Sequence, residues 1–315
     1  MKNHTSITTT LFFKISLTLL LAVCAFSDAQ SQSFWESAKR KASSAWNKTK
    51  EIAHSVNESE MLQSVQYKVP VTNRSFYNFI PDSYINQLGA SQYKKYMASS
   101  GRSTSTRQTQ QVNRVAKRLI RATEQIMSDC GKSQEIDDFD WEINLVCNQS
   151  ANAFCMPGCK IVVYDGILSY ATDDASLACV MGHEIAHALA KHSSEQITKT
   201  LISTAGIAVL YAIISNSDMS SGRKKIAALM AAAGITLANL KFSRINETEA
   251  DRLGLILAAA AGYDPNAAIG FWQRMGNASK QKSSRDWYST HPSNSNRISN
   301  IRSFLPEAKE YHHKR

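Results

Sequence analysis

The sequence predicts a predominantly helical α+β fold with a small β-sheet, and three observations carry that prediction. Apolar residues recur at helical spacing over several long segments. Two shorter stretches, 139–146 and 152–164, have the patterns of strands. An HExxH array at 183–187 lies inside one of the helical segments. About 250 residues after the N-terminal segments fit a single α-rich domain of this kind.

The N-terminus has the composition of a signal peptide. Lys2 and Lys14 precede the apolar run 15–26. The run is followed by a small-x-small pattern that ends at Ala29. A run of about twelve residues suits a signal peptide and falls short of the roughly 20 residues that span a bilayer. We therefore expect removal of residues 1–29 and export of the chain, either to a periplasm or to an envelope membrane surface.

Single residues disfavour two alternatives for this N-terminus. Lipid attachment at Cys24 would need a small residue before the cysteine, whereas Val23 is branched. A mitochondrial presequence is rich in arginine, whereas this chain has no arginine before Arg40. The sequence therefore favours an exported chain, with a lipoprotein as the second interpretation.

The chain is strongly basic, with a formal net charge of +10 that changes to +9 when two lysines and one aspartate leave with residues 1–29. Such a surface attracts anionic membranes, while export and the lack of a nucleic-acid motif argue against nucleic acid as a partner. We predict a basic linker over 30–80, whose part 34–56 lies on a membrane as an interfacial helix or packs on the domain. The folded domain is predicted over 81–315.

Helices and strands alternate in the first part of that domain. We predict helices over 82–97 and around 112–127, where apolar residues recur at helical spacing. The alternating stretch 139–146 predicts one strand. The stretch 152–164 predicts two short strands around a Pro-Gly turn.

The HEIAH array at 183–187 follows a polar helix start at 173–176 and lies among apolar residues of helical period. Positions i and i+4 share a helix face, so the imidazoles of His183 and His187 can bind one ion, with Glu184 about 100° away. Neutral imidazole is a good Zn²⁺ ligand, and zinc lowers the pKa of bound water towards about 7, which lets Glu184 accept its proton. The array predicts metal-assisted hydrolysis, and a helix with two unrelated histidines is the alternative.

A third ligand is expected on another element, and the best region is 242–254. Here the chain resembles the M48 metallopeptidases, in particular the small bacterial periplasmic members and the mitochondrial Oma1 group. Four motifs occur in that family's order: NAFCMPG from Asn152, HEIAHALAKH from His183, SRINETEAD from Ser243 and THPSNSNR up to Arg297. The resemblance implies a zincin-type metallopeptidase domain, with the HExxH helix beside a small sheet or hairpin at the edge of the cleft.

The resemblance also assigns roles to single residues. Both histidines of the array become ligands of one zinc ion, Glu184 becomes the general base, and the glutamate of the family's E-x-x-x-D pattern falls on Glu247. Asp251 shares the helix face of Glu247, which suits it to orient a ligating imidazole from outside the metal shell. Glu249 points about 200° away from Glu247 and is expected to be an ordinary solvated charge.

His291 matches a later histidine of the family, which the resemblance places near the metal. It is expected to contact substrate or a developing oxyanion, or to gate the open coordination position, and Arg297 accompanies it. Without the resemblance, a His-Pro in a loop rich in serine and asparagine would indicate an exposed turn.

The hairpin motif borders the cleft in the resembled family, so its first residues are expected to contact substrate. Asn152, Ala153 and Phe154 would bind an extended peptide by β-augmentation, and a purely structural hairpin is the alternative. Cys159 stands where the family commonly has a second glycine. Because cysteine tolerates a positive φ poorly, we expect the turn to differ here.

Two apolar segments, Leu201 to Ile214 and Ile226 to Leu240, separate the two ligand motifs. Both are too short to span a bilayer, so we predict a buried or surface-associated helical hairpin, with pairing on a membrane as the alternative. Five cysteines remain beyond the signal peptide. A disulfide between Cys155 and Cys159 is compatible with their spacing, and Cys179 is expected to be a small buried residue.

Together these features predict a zinc-dependent endopeptidase that hydrolyses unfolded or damaged cell-envelope proteins, with Glu184 as the base. The alternative from another functional class is a metal-gated chaperone or assembly factor for envelope proteins, with little turnover. A purely structural zinc site is disfavoured, because such a site needs ligands but no base.

Overall fold

The computed structural model describes residues 66–205, 219–232, 234–237, 240–278, 287–291 and 296–313. The predicted signal peptide, Cys24 and residues 30–65 lie outside them. The helices are α1 Asp82–Ser99, α2 Thr106–Asp129, α3 Ser133–Ile136, α4 Asp174–Leu189, α5 His192–Ala205, α6 Met219–Ala232, α7 Arg244–Ala260, α8 Ala267–Asn277 and α9 Arg297–His313. The strands are β1 Gln66–Lys68, β2 Ser75–Tyr77, β3 Glu142–Val146, β4 Ala153–Met156 and β5 Lys160–Tyr164. The predicted class, α+β and predominantly helical, is confirmed.

The larger sheet has the strand order β3-β5-β4, so that β4 forms one of its edges. β4 pairs with β5 as the predicted antiparallel hairpin, and β3 pairs with β5 in parallel. The strand predicted from residue 139 begins later, at Glu142. β4 packs against α4, the helix that carries the HExxH array.

The hairpin turn is made by Pro157, Gly158 and Cys159, since Met156 and Lys160 are paired on either side of it. Cys159 has a φ of 63° and is fully buried. A cysteine by itself disfavours this conformation. Here a three-residue hairpin loop requires a left-handed residue at its end, and the paired strands impose it.

Helices α4 and α7 pack face to face at the centre of the main hydrophobic core, with α2, α8 and α9 around them. Every residue of α4 from Ser176 to His187 is buried. A helix that is surrounded on all sides is apolar around its whole circumference, and its polar residues need partners. The HExxH side chains are therefore held in a rigid, dry environment.

Residues 66–80 belong to the folded body. β1 and β2 form an antiparallel hairpin, and its residues Tyr67, Val69 and Phe76 are buried in the main core. Phe79 and Ile80 lie in a second apolar cluster. The domain boundary at residue 81 stays a prediction, but this part of the predicted linker packs on the residues that follow it.

The second apolar cluster contains the described parts of the two apolar segments between the ligand motifs. Leu201 of α5 and Ile226 and Met230 of α6 pack there against α1. Residues 206–218, which include part of the first segment, lie outside the described residues. None of the helices in the described ranges is long and apolar enough to cross a membrane.

Two glycines allow α4 and α7 to approach closely at the metal-binding motif. A Cβ placed on Gly254 would lie 2.7 Å from the backbone nitrogen of His183, and one on Gly182 would lie 2.7 Å from the carbonyl oxygen of Gly254. Both neighbours are backbone atoms, which cannot move aside without shifting a helix. The separation of the two ligand helices therefore depends on these glycines.

We expect Gly254→Ala to lower the free energy of unfolding by about 1–3 kcal/mol, because it overpacks the helix contact, and to displace His183. Denaturant unfolding with and without zinc measures both effects. The matched control is Gly276→Ala in α8, where a Cβ meets nothing within 4 Å. That change should be neutral or stabilising by up to about 1 kcal/mol. Equal unfolding midpoints for the two variants would contradict the prediction.

Candidate metal centre

The N-terminus of α4 is fixed by a capping box, which sets the rotation of the HExxH face. The Asp173 side chain accepts a hydrogen bond from the backbone N–H of Ser176, and the Ser176 hydroxyl accepts one from the backbone N–H of Asp173. This confirms the predicted polar helix start. His183, Glu184 and His187 begin about two turns after Ser176, and all three are buried.

A second capping box begins α7. Ser243 and Asn246 exchange side-chain to backbone hydrogen bonds across the first turn. Glu247 follows in the next position and Asp251 lies one turn later, so both project from the same face towards α4. The structure thus brings the two predicted ligand motifs together.

Four side chains converge on one point: His183, His187, Glu247 and His291 each offer a ligand atom, and these atoms lie within 4.8 Å of one another. Nε2 of His183 lies 3.1 Å from Nε2 of His187. The carboxylate of Glu247 lies 3.6 Å from the first of these nitrogens and 3.4 Å from the second. Tetrahedral zinc with bonds of about 2.0–2.1 Å separates its ligand atoms by roughly 3.3 Å.

The outer nitrogens of both imidazoles have partners that determine the tautomers. Nδ1 of His183 lies 3.0 Å from the Asp251 carboxylate and 3.3 Å from Nη2 of Arg297, and the shorter contact, to a group that can only accept, favours the proton on Nδ1. Nδ1 of His187 lies 2.8 Å from Nδ1 of His192, whose Nε2 lies 2.9 Å from Glu249. If His192 donates to Glu249, it must accept from His187. Both inner Nε2 atoms then present lone pairs to each other.

In that tautomer the two lone pairs at 3.1 Å repel, and a cation bound between them would remove the repulsion. Two carboxylate oxygens at this point also lack a partner: Oε2 of Glu247 and Oε1 of Glu184 are buried without a hydrogen bond in the described structure. Buried polar atoms almost always have partners, so orphaned ones indicate a missing group. The donor set, two imidazoles and a carboxylate, fits a divalent cation such as zinc.

The protonation states agree with that fit. Burial lowers the pKa of His187 well below its usual value and so favours the neutral imidazole that a metal binds. Burial would raise the pKa of Glu247, but His291 and His187 outweigh it and hold that pKa well below the usual range. Burial raises the pKa of Glu184, which brings this carboxyl closer to the range of a general base.

The structure places the predicted His291 at the metal-facing cluster. Its Nδ1 lies 3.0 Å from the Glu247 carboxylate and its Nε2 lies 3.7 Å from Glu184. The imidazole is buried and stacks on Trp287, with ring centroids 4.5 Å apart. The residues that follow His291 in this motif, 292–295, lie outside the described residues.

Arg297 is also buried, and its contacts lead to the ligand helices. Its Nη2 donates to Asp251 at 2.6 Å, and Nη1 lies 3.6 Å from Glu247. The guanidinium stacks on Trp272, with Cζ 3.3 Å from the ring centroid. Arg297 thus holds the carboxylate that orients His183.

Glu249 was expected to be a solvated charge, and that prediction is wrong. Its side chain is about 6% exposed and interacts with His192, Thr72 and Arg74. Glu249 does lie on a different face of α7 from Glu247, as helix periodicity predicts. That face is covered by the β1–β2 hairpin and by α5, which local periodicity does not reveal.

Sequence reasoning assigned no role to His192, Phe242, Trp272 or Trp287. His192 lies in the quoted motif HEIAHALAKH, five positions after His187, and its place there was the only available signal. Phe242 stacks on His187 with centroids 4.1 Å apart. The rings of Phe242, Trp272 and Trp287 surround the ligand histidines with apolar surface. This surface excludes water and strengthens electrostatic interactions.

The predicted substrate edge is β4 with the residue before it. Ala153 and Phe154 pair with β5 through one side of the strand, and the other side has no strand partner among the described residues. Phe154 packs edge-to-face on Tyr96. The edge position is geometrically suited to strand addition, and binding of substrate by Asn152, Ala153 and Phe154 stays a prediction.

All five cysteines in the described ranges are free thiols. Cys155 and Cys159 are both buried and close enough to interact, and their hydrogen bond together with burial raises the pKa of Cys155 well above its usual value. The structure contains no disulfide across the hairpin among these residues. Cys179 is buried as predicted, and burial raises its pKa to about 12.

Comparison with known proteins identifies the family. The model of peptidase family M48 matches residues 107–305, which is more than half of the chain. The chain belongs to peptidase family M48. The matched range contains the ligand helices α4 and α7, the β4–β5 hairpin and His291, and it starts after the β1–β2 hairpin. The predicted zincin-type domain and the resemblance drawn from four motifs are confirmed.

Two mitochondrial relatives are similar over most of this chain. The mitochondrial metalloendopeptidase OMA1 of Schizosaccharomyces pombe is 33% identical over 244 residues, which are 76% of this chain and 66% of that protein. The OMA1 protein of Bos taurus is 30% identical over 246 residues, 76% of this chain and 46% of that protein. The matched part of the chain thus spans less than two thirds of the length of each of these relatives.

A bacterial relative is similar over a shorter part. The beta-barrel assembly-enhancing protease of Yersinia pestis is 29% identical over 171 residues, 53% of this chain and 35% of that protein. The prediction of export to a periplasm or cell envelope is wrong, because the two relatives that match 76% of this chain are named mitochondrial. That prediction relied on a short apolar run and a missing arginine, which are weak signals of destination.

Proposed function

We propose that this protein is a zinc-dependent metalloendopeptidase that cleaves unfolded or misassembled proteins. The observation that carries the proposal is the buried convergence of His183, His187 and Glu247 on one point, beside a Glu184 carboxylate oxygen that has no hydrogen-bond partner in the described structure. Membership of peptidase family M48 and the similarity to proteins named metalloendopeptidases support it.

Each site residue has a role that follows from its position. His183, His187 and Glu247 would hold the zinc ion, and Asp251 orients His183 through its Nδ1. Bound zinc lowers the pKa of water and polarises a peptide carbonyl. Glu184 accepts a proton from the attacking water and later delivers it to the leaving amine nitrogen.

His291 and Arg297 have different geometries, and we assign them different roles. His291 faces Glu184 and Glu247 and so can contact substrate or occupy the fourth coordination position until substrate enters. Arg297 donates to Asp251, the carboxylate next to His183, and this favours a role in positioning His183 over direct contact with substrate.

Substrate binding is proposed along β4. An extended peptide added to this edge forms main-chain hydrogen bonds, which require a disordered segment and little sequence preference. This mode of binding suits unfolded or misassembled proteins. Contact with an anionic membrane through residues 34–56, where five basic side chains outnumber two glutamates, belongs to the same proposal and rests on charge alone.

Removal of metal should abolish cleavage reversibly. We expect the purified protein to degrade a reduced, denatured test protein, to lose this activity in a chelator such as 1,10-phenanthroline, and to regain it when a slight excess of Zn²⁺ is added. Gel analysis of the substrate over time measures the effect. The same protein in a non-chelating isomer of phenanthroline is the control, and cleavage that persists in the chelator would contradict the proposal.

The chaperone alternative predicts a different outcome of this experiment. A metal-gated chaperone would suppress aggregation of the denatured protein in the presence of zinc without producing fragments. The buried Glu184 carboxylate, whose Oε1 has no hydrogen-bond partner in the described structure, favours the peptidase, because a binding protein does not require a base at the metal.

A further inference from the structure

We propose that Arg74 is a positioning residue of the metal centre, acting on His187 through Glu249 and His192. The inference rests on the proposed function, since it assumes that His187 binds a metal. Arg74 lies in the loop between β1 and β2, directly before β2, and ahead of residues 107–305 that match the family. It would thus make the hairpin a part of the metal centre.

An unbroken series of contacts connects Arg74 to the ligand. Nε of Arg74 donates to Oε2 of Glu249 at 2.7 Å. The same oxygen lies 2.9 Å from Nε2 of His192, and Nδ1 of His192 lies 2.8 Å from Nδ1 of His187. Each step is short enough for a hydrogen bond, and His192 is completely buried.

The direction of these hydrogen bonds determines what His187 offers to a metal. An ionised carboxylate only accepts, so Glu249 requires the proton of His192 on Nε2. Nδ1 of His192 is then an acceptor and takes the Nδ1–H of His187. This leaves the lone pair of His187 on Nε2, the atom that faces His183 and Glu247. Partners of this kind fix both tautomer and ring orientation of metal ligands.

The two ligating histidines are therefore supported differently. His183 contacts the Asp251 carboxylate directly, at 3.0 Å. Nδ1 of His187 reaches the Glu249 carboxylate through the intervening ring of His192. A longer series has more freedom to move, so its far end needs to be held. Glu249 is held at Oε1 by the Thr72 hydroxyl and at Oε2 by Arg74.

Arg74 itself is fixed by a second carboxylate. Its Nη1 and Nη2 donate to the two oxygens of Glu195 at 3.0 and 2.8 Å. Glu195 also accepts a hydrogen bond at 2.9 Å from the side-chain amide of Asn246, which forms the capping box of α7 with Ser243. A planar guanidinium with several donors can hold both carboxylates at once, whereas a lysine ammonium offers one charge centre without this fork. The geometry points to arginine specifically.

The test compares zinc affinity of wild type, Arg74→Gln and Arg74→Lys by competition with a chromophoric chelator. We expect Arg74→Gln to bind zinc roughly 10–100-fold more weakly, as for other losses of an outer-sphere partner. The zinc affinity of Arg74→Lys should lie between those of wild type and Arg74→Gln, because lysine restores the positive charge but not the several donors of the guanidinium. Steady-state cleavage should show a lower kcat with little change in KM, since the substrate edge is on β4.

The matched control is Arg252→Gln. Arg252 also forms a two-bond pair with a glutamate, at 2.7 and 2.7 Å to Glu307, and its side chain is 33% exposed compared with 23% for Arg74. Its two hydrogen bonds go to Glu307 and not to a member of the series that leads to His187. We expect its zinc affinity to equal that of wild type. Equal zinc affinities for Arg74→Gln and Arg252→Gln would overturn the inference.

Two milder variants keep the test decisive if Arg74→Gln does not fold. Thr72→Val removes only the hydroxyl that holds Oε1 of Glu249, and Glu249→Gln keeps the shape of the side chain. Both should weaken zinc binding when measured on folded protein, and wild-type affinity in both would overturn the inference. If wild type itself neither binds zinc nor cleaves, the proposed function fails. If wild type does both while these variants match it, only the role of Arg74 fails.

Discussion

Replacing Glu184 with glutamine should leave zinc in the protein and lower kcat for cleavage of a denatured protein by roughly 10²–10⁴-fold. Glu184 is buried beside the ligands, its Oε1 has no hydrogen-bond partner in the described structure, and it is absent from the converging ligand set. Glutamine has the same shape but cannot accept a proton. Metal analysis and the rate of substrate cleavage, measured on the same sample, separate the two effects.

A glutamate remote from the site provides the control for this experiment. Glu142 on β3 is about half exposed and pairs with Lys160 at 2.8 Å, so Glu142→Gln should keep both zinc and activity. Undiminished cleavage by Glu184→Gln would refute the role of general base. A variant that lost cleavage and still suppressed aggregation of the denatured protein as wild type does would favour the chaperone alternative.

Replacing Glu247 with glutamine should remove the metal as well as the activity. An amide is a poor zinc ligand, and the remaining histidines would face each other at 3.1 Å with no third donor on α7. We expect the loss in zinc affinity to exceed the roughly 10–100-fold cost of an outer-sphere change. Zinc at about 100 times its wild-type Kd should stabilise wild type by about 2.7 kcal/mol and this variant hardly at all.

Glu249→Gln is the natural comparison, because Glu247 and Glu249 are buried glutamates two positions apart on one helix. Thermal unfolding with and without zinc, followed by circular dichroism, ranks the two variants. A larger loss of zinc-dependent stabilisation in Glu249→Gln than in Glu247→Gln would show that the ligand has been assigned to the wrong carboxylate.

Local patterns in the sequence predicted the elements that carry the site. Helical spacing, the polar start at Asp173 and the i, i+4 relation of His183 and His187 all describe one helix, and α4 has these features. Such properties follow from backbone geometry and from side chains a few positions apart. The hairpin 152–164 was predictable for the same reason, since its turn residues and alternating strands are adjacent in the chain.

Properties that depend on distant segments were missed or misjudged. The parallel pairing of β3 with β5 requires a crossover, which no short pattern records. Glu249 was expected in solvent because its helix face was known, whereas the hairpin that covers this face was not. Cys159 was judged by its own conformational preference, although the loop length and the paired strands decide its φ.

The sequence alone therefore determined which residues can bind a metal and on which elements they lie, because helix periodicity and ligand chemistry are local. The tertiary structure alone decided what surrounds them. Arg74 and Glu249, which are 175 positions apart, meet only because the β1–β2 hairpin packs beside α7. The free energy of such a contact depends on burial and on the partners that the whole fold supplies, so no segment of the sequence specifies it by itself.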